Sequence, residues 1–351
     1  MIQINTMPMP NMRKHAGFTL IELLLAVIVI GIVTMVMAPI YTELMTAQRT
    51  AYSEKHRLNN QLIASGLMSY AGSSATGRLP APYTGGGSTK TIYDTTNTDI
   101  GAALIQTGIN TSEINDDGTS AKNVRVYQLL QDISQTVPLY FQSGPSVNIL
   151  YDYGAIYLTA CPKTTIACNP APATGIPGSS TELTVGTMAT WTTTGTDGTP
   201  TLISSMPIQK QMLATTSQRL DKVRDTLLGY FRAQQQIAAG GDTTNWFPNQ
   251  SGAAAPGSKT GQAPGGSQQG CRDGWYDLSS TTESVLSTVG LAYDEFGKTA
   301  WGGPIQYCRD YDPAVTAPNT TPHYAAIRIN KNVTTGAAPT NTPGDNIVLT
   351  F

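Results

Sequence analysis

Apolar and polar positions are distributed very unevenly along this chain. From Phe18 to Ile40 the residues read FTLIELLLAVIVIGIVTMVMAPI, an apolar run interrupted by one charge, Glu22. About 20 apolar residues at 1.5 Å rise each match a hydrocarbon layer of roughly 30 Å, so the run predicts a membrane-spanning helix. A carboxylate in such a helix costs on the order of 2.5–3.5 kcal/mol, so Glu22 is expected to have a partner. The basic pair Arg13 and Lys14 precedes the run and holds that end on the cytoplasmic side, which sends the chain beyond Tyr41 outward. From Tyr41 to Tyr70 the first Gly or Pro is Gly66, and Leu44, Ala47, Ala51, Leu58, Leu62 and Tyr70 approximate one apolar stripe. The pattern predicts a single long helix, apolar in its first half and amphipathic in its second, with a folded head covering the stripe.

Period-two and turn signals then take over. GSSATGRLPAPYTGGGST after Ala71 breaks regular structure. The β-branched and aromatic residues of 124–130 and 147–158 predict strands. Beyond Cys168 the chain is rich in Pro, Gly and Thr through Pro207, which reads as a boundary. Leu213, Leu220, Val223, Leu227 and Phe231 then follow helical spacing, and Gly240-Gly241 ends that element. The order of the first half recurs: a helix, a loop ending in an apolar-Pro step, a Thr-Val pair (Thr136-Val137, Thr288-Val289), strands and a cysteine (Cys161, Cys308). This predicts an α+β chain with a duplicated head, the alternative being one enlarged head with a long insertion. The expected divisions are 1–17, a leader; 18–49, the hydrophobic helix; 50–168, a first head; 169–207, a linker; and 208–351, a second head.

Composition narrows the function classes. Of 351 residues only 13% are charged, against about 25% in an average soluble domain. The formal charge of −2 becomes −4 once a leader carrying Arg13 and Lys14 is removed, so no basic footprint for nucleic acid remains. Cys161, Cys168, Cys271 and Cys308 all fall on the outward side, where disulfides form. Shorter loops favour the pairs Cys161–Cys168 and Cys271–Cys308 among the three possible connectivities. Neither Phe296-Gly297-Lys298-Thr299 nor Gly257-Ser258-Lys259-Thr260 has phosphate-loop spacing, and no HExxH or GxSxG context accompanies His56 or His323. No cofactor motif and no catalytic set is present.

The junction Gly17-Phe18-Thr19-Leu20-Ile21-Glu22 resembles the processing site of type IV prepilins and of the pseudopilins of type II secretion. The resemblance implies a pilin fold, in which the long helix packs on an antiparallel sheet. It implies cleavage by a prepilin peptidase between Gly17 and Phe18, N-methylation of Phe18, and pairing of Glu22 with the terminal amine of a neighbouring subunit. Gly31 and Pro39 lie where pilin helices often carry helix-weakening residues. Other pilin subunits, inner-membrane lipid before assembly and the inner-membrane assembly platform are the implied partners. The implied location is the inner membrane and then a periplasmic or extracellular filament.

A second resemblance lies near the C-terminus. Asp294-Glu295-Phe296-Gly297 with Trp301-Gly302-Gly303-Pro304-Ile305-Gln306-Tyr307 is similar to a hairpin of major pseudopilins, with residues interposed before Trp301. Gly344-Asp345-Asn346-Ile347-Val348-Leu349 resembles their final strand. Some of those proteins hold Ca²⁺ after the hairpin, which makes Asp310, Asp312 and Asp345 candidate oxygen ligands. The resemblance leaves several roles open: a minor or large-headed pilin, a secretion pseudopilin, or a pilin-anchored adhesin or DNA-binding module.

Overall fold

The structure, a computed structural model, describes residues 20–81, 89–91, 99–109, 123–140, 144–162, 196–249, 269–280, 285–312 and 322–351. The chain divides at His56 into two compact units. One helix, α1 (Leu20–Ser73), begins in the first unit and ends in the second. It continues through Gly31 and Pro39.

In the second unit α1 buries Asn60, Ile63, Ala64, Leu67 and Ala71. These residues recur at i, i+3, i+4, i+7 and i+11, one face of a helix. They pack on Ile100, Ala103 and Leu104 of α2 (Asp99–Gln106) and on Tyr127, Leu129, Ile156 and Ile203 of a sheet. The covered face therefore differs from the expected one. Leu44, Leu58 and Leu62 are about half exposed, and the head takes the neighbouring stripe, whose small residues Ala64 and Ala71 allow close approach.

The first sheet is antiparallel, in the order β1 (Thr89–Thr91), β2 (Asn123–Pro138), β3 (Ser146–Pro162), β4 (Thr196–Ser204). β2 runs eight residues past the expected Leu130. It does so through a bulge between Leu130 and Ile133, where Asp132 takes φ 60°. β4 falls inside the stretch expected as linker 169–207. Its Leu202 and Ile203 pair with Ala155 and Gly154, so the end of that Pro- and Thr-rich stretch belongs to the sheet.

Helix α3 (Met206–Ile237) follows β4 directly, with Pro207 in its first turn, where a missing N–H costs nothing. Its buried face carries Gln209, Leu213, Leu220, Val223 and Leu227. A second antiparallel sheet follows, in the order β5 (Tyr276–Asp277), β6 (Gln306–Cys308), β7 (Ala326–Asn330), β8 (Asn346–Thr350). Two short helices, α4 (Val285–Thr288) and α5 (Tyr293–Phe296), lie between β5 and β6. Each long helix thus precedes a four-stranded antiparallel sheet, and the α+β architecture is the expected one.

One core joins the two sheets within this unit. Leu139, Val147 and Ile149 of the first sheet region share it with α3 and with Tyr307, Ile327 and Ile329 of the second. Backbone bonds reinforce the join, with Asn148 N donating to Lys331 O at 3.0 Å.

Candidate functional site

The first unit places its chemistry on a bare helix. Every described residue from Leu20 to Ala51 is exposed, including Leu24, Ile28, Val33 and Ile40. It contains the one described helix long and apolar enough to cross a membrane. Exposing that much apolar surface to water is strongly unfavourable, so the segment requires lipid or other helices around it. Its polar groups are arranged for such a medium. The Thr34 hydroxyl donates back to the carbonyls of Ile30 and Gly31, both at 2.9 Å, and Thr42 does the same to Pro39 O at 2.7 Å. Pro39 has no N–H to give to Met35, so the Thr42 bond anchors the turn that follows. A Cβ built on Gly31 meets nothing within 4 Å, which means that this chain itself does not require glycine there. Glu22 is exposed on α1, near the start of the described residues. Gly17 and Phe18 lie outside the described residues.

Residues 12–38 match the model of the prokaryotic N-terminal methylation motif. The chain carries the type IV pilin and pseudopilin signature. That motif spans the Gly17-Phe18 junction, Glu22, Gly31 and most of the apolar half of α1 in this pilin-like chain. No curated protein and no solved structure matches the chain.

The head is stapled by one described disulfide, Cys271–Cys308, with Cα atoms 5.8 Å apart. Both sulfurs are buried with Tyr311 and Ala326, and Trp275 and Val348 pack against them. The expected Cys161–Cys168 pair lies outside the described residues. The turn ahead of β6 holds Trp301 almost buried, with its Nε1 donating to Gln209 Oε1 at 2.8 Å, and Tyr307 fully buried, as the aromatic pattern led us to expect. Lys298, from the phosphate-loop decoy, sits in this same turn, where Arg219 caps the carbonyls of Lys298 and Thr299 at 3.1 Å.

The three calcium candidates are used differently. Asp310 and Asp312 both face Arg272, the former at 4.0 Å, while Asp345 accepts from Thr340 Oγ1 at 3.0 Å. Among the described residues no group of three His, Cys, Asp or Glu side chains is arranged to hold a metal ion. His56 is buried edge-on to Tyr52, and His323 lies 2.7 Å from Thr243 O.

Two features escaped the sequence reading. Asp152, in the middle of β3, is completely buried and accepts both nitrogens of the Arg78 fork as well as Leu79 N at 3.0 Å. Burial and the nearby Asp152 charge also push the Tyr127 phenol well above its ordinary value. The visible signal was a carboxylate between two tyrosines in an otherwise apolar strand. The second feature is a repeated triplet, Cys271-Arg272-Asp273 and Cys308-Arg309-Asp310, whose cysteines are bonded to each other and whose first arginine faces the second aspartate. Its repetition is plain in the letters, and the disulfide together with Arg272 N donating to Asp310 O at 2.9 Å brings the two copies together.

Proposed function

We propose that this chain is a structural subunit of a type IV pilus-like filament. It is held in the inner membrane by α1, cut by a prepilin peptidase between Gly17 and Phe18, methylated on Phe18, and assembled through α1. The supporting observation is the methylation motif at 12–38 lying on a helix whose apolar half this chain leaves entirely uncovered. Neighbouring helices in a filament supply that cover, and Glu22 pairs there with the Phe18 amine of the adjacent subunit. An ammonium and a carboxylate attract strongly in that low-dielectric setting. The two-sheet head is large for a tightly packed shaft, which favours a minor or tip-associated subunit and a displayed, non-enzymatic role.

Glu22→Ala tests the assembly role. Membrane insertion, read by fractionation, stays intact, while recovery in sheared filaments falls at least tenfold. Wild-type recovery would sink the pairing role. A secretion pseudopilin is the second reading, favoured by the Trp301 turn leading into β6 and by the final strand β8. Sheared surface filaments containing the chain separate the pilus from a periplasmic pseudopilus.

A further inference from the structure

The head carries a polar, half-open cavity of about 290 Å³. Four segments line it: Thr243 to Asn245 behind α3; Asp273, two residues after Cys271; Arg309 and Asp310, directly after Cys308; and His323 ahead of β7. The wall is tied together from within. Arg309 Nη2 donates to Asn245 O at 2.8 Å, Asn245 Nδ2 donates to Arg309 O at 3.2 Å, and His323 Nε2 lies 2.7 Å from Thr243 O. The Cys271–Cys308 bond fixes the two segments that carry the aspartates.

Two opposite demands coexist in this wall. Asp310 is 7% exposed, and its carboxylate accepts no hydrogen bond among the described residues. Its nearest cation, Arg272, stands at 4.0 Å and gives its other nitrogen to Asp312. Burial raises the Asp310 carboxyl above its usual range, as expected of a charge short of donors. The Arg309 Nε–H is buried with no acceptor among the described residues. Such groups are costly unless something supplies the missing bonds.

The chemistry of the wall selects among ligands. An organic ammonium carries donors only and leaves Arg309 unanswered. A carboxylate or phosphate would meet two buried aspartates, while Arg309 Nη2 and His323 Nε2 are already engaged with backbone carbonyls. An apolar ligand finds no aliphatic side chain in the lining, every residue of which carries a polar or charged group. A hydroxyl is donor and acceptor at once and carries no charge, so vicinal hydroxyls satisfy both demands. The volume lies at the low end of small-molecule pockets, the size of one sugar ring. We propose that this cavity binds one residue of a neutral saccharide, whose hydroxyls donate to Asp310 and Asp273 and accept from Arg309.

The test uses the full chain in a detergent without a sugar headgroup. Saturation-transfer NMR is run against the methyl glycosides of glucose, galactose and mannose and against N-acetylglucosamine, with methylammonium and acetate as charged controls. Immobilised glycans ending in the same residues distinguish a free sugar from a glycan terminus, and binding in either form supports the site. At least one sugar is expected to bind while both controls fail. Asp310→Asn removes a charge-assisted acceptor and weakens that binding about tenfold or more, with the ligand-free melting midpoint unchanged or raised. If Asp310→Asn does not fold, Arg309→Lys serves in its place, since it keeps a cation on the Asn245 side and removes the Nε–H donor. Failure of every sugar in both forms, binding of methylammonium or acetate instead, or sugar binding undiminished in the folded variant overturns the proposal.

Discussion

Arg78→Ala removes the guanidinium that forks onto Asp152. The carboxylate left behind has a side chain with no solvent exposure, and it keeps only Leu79 N at 3.0 Å and Asp132 N at 3.4 Å. Asp152 also anchors the start of α3 through its backbone, with its N donating to Ser205 Oγ at 2.7 Å and its O accepting from Ser205 N at 3.0 Å. The loop after α1, the β2 bulge and the α3 terminus therefore meet at one residue. Removing one partner of a buried pair costs about 3–5 kcal/mol, chiefly because the other charge is stranded. Arg78 retains 20% side-chain exposure, which places the expected loss near about 3 kcal/mol, while its second contact, to the largely exposed Asp132, adds little. At about 2–4 °C per kcal/mol for domains of this order of size, the midpoint should fall by about 6–12 °C. Calorimetry or circular dichroism of the detergent-solubilised chain reads the shift. The double replacement Arg78→Met with Asp152→Leu should recover part of the loss, since it leaves no stranded charge. A midpoint for Arg78→Ala within about 2 °C of wild type would refute the reasoning, because a buried carboxylate cannot lose its cation at so small a cost.

Three further outcomes are expected. Gly31→Ala should leave the solubilised chain as stable or up to about 1 kcal/mol more stable by thermal melting, because a Cβ there meets nothing in this chain; a fall in filament recovery alone then locates a close helix contact at Gly31. Replacing Cys271 and Cys308 together by Ser should cost about 3–4 kcal/mol in urea unfolding, from opening a loop of sequence separation 37, with a loss under about 1 kcal/mol arguing against the staple. The Tyr140 phenol is pushed up to about 12 by burial first and by Asp221, to which its hydroxyl donates at 3.2 Å, second. Its contribution to stability is therefore fully present below about 10, the ordinary phenol value, and is lost as pH rises toward about 12; in Tyr140→Phe that part of the alkaline loss should disappear from pH-dependent unfolding curves.

Local physics made much of the fold legible. An apolar run of 23 residues with one charge has few structural outcomes, and the helical spacing of Leu213 to Phe231 found the middle of α3. The methylation motif at 12–38 was readable because it depends on short spacing alone. What depended on distant residues was hidden. The stripe actually buried on α1, through Ile63, Ala64, Leu67 and Ala71, competes in sequence with an equally regular one through Leu58 and Leu62, and only the shape of the sheet decides between them. β4 carries Asp197, Gly198 and Pro200, poor strand formers, and it is held in place by pairing with β3. The cavity wall draws on segments up to 80 residues apart, as in the His323–Thr243 contact, a proximity that no window along the chain reports.

The hydroxyls along α1 bear on how such a helix changes surroundings. Thr34, Thr42, Thr46 and Thr50 each return their hydrogen to a carbonyl three or four residues earlier. None of those bonds needs lipid, water or a neighbouring subunit, so none must break when the surroundings change. Under the proposed assembly, passage from bilayer to filament would exchange acyl chains for side chains along α1, with the carboxylate of Glu22 as its main polar event. Such a transfer would cost no internal hydroxyl bond of the helix, whichever way it ran.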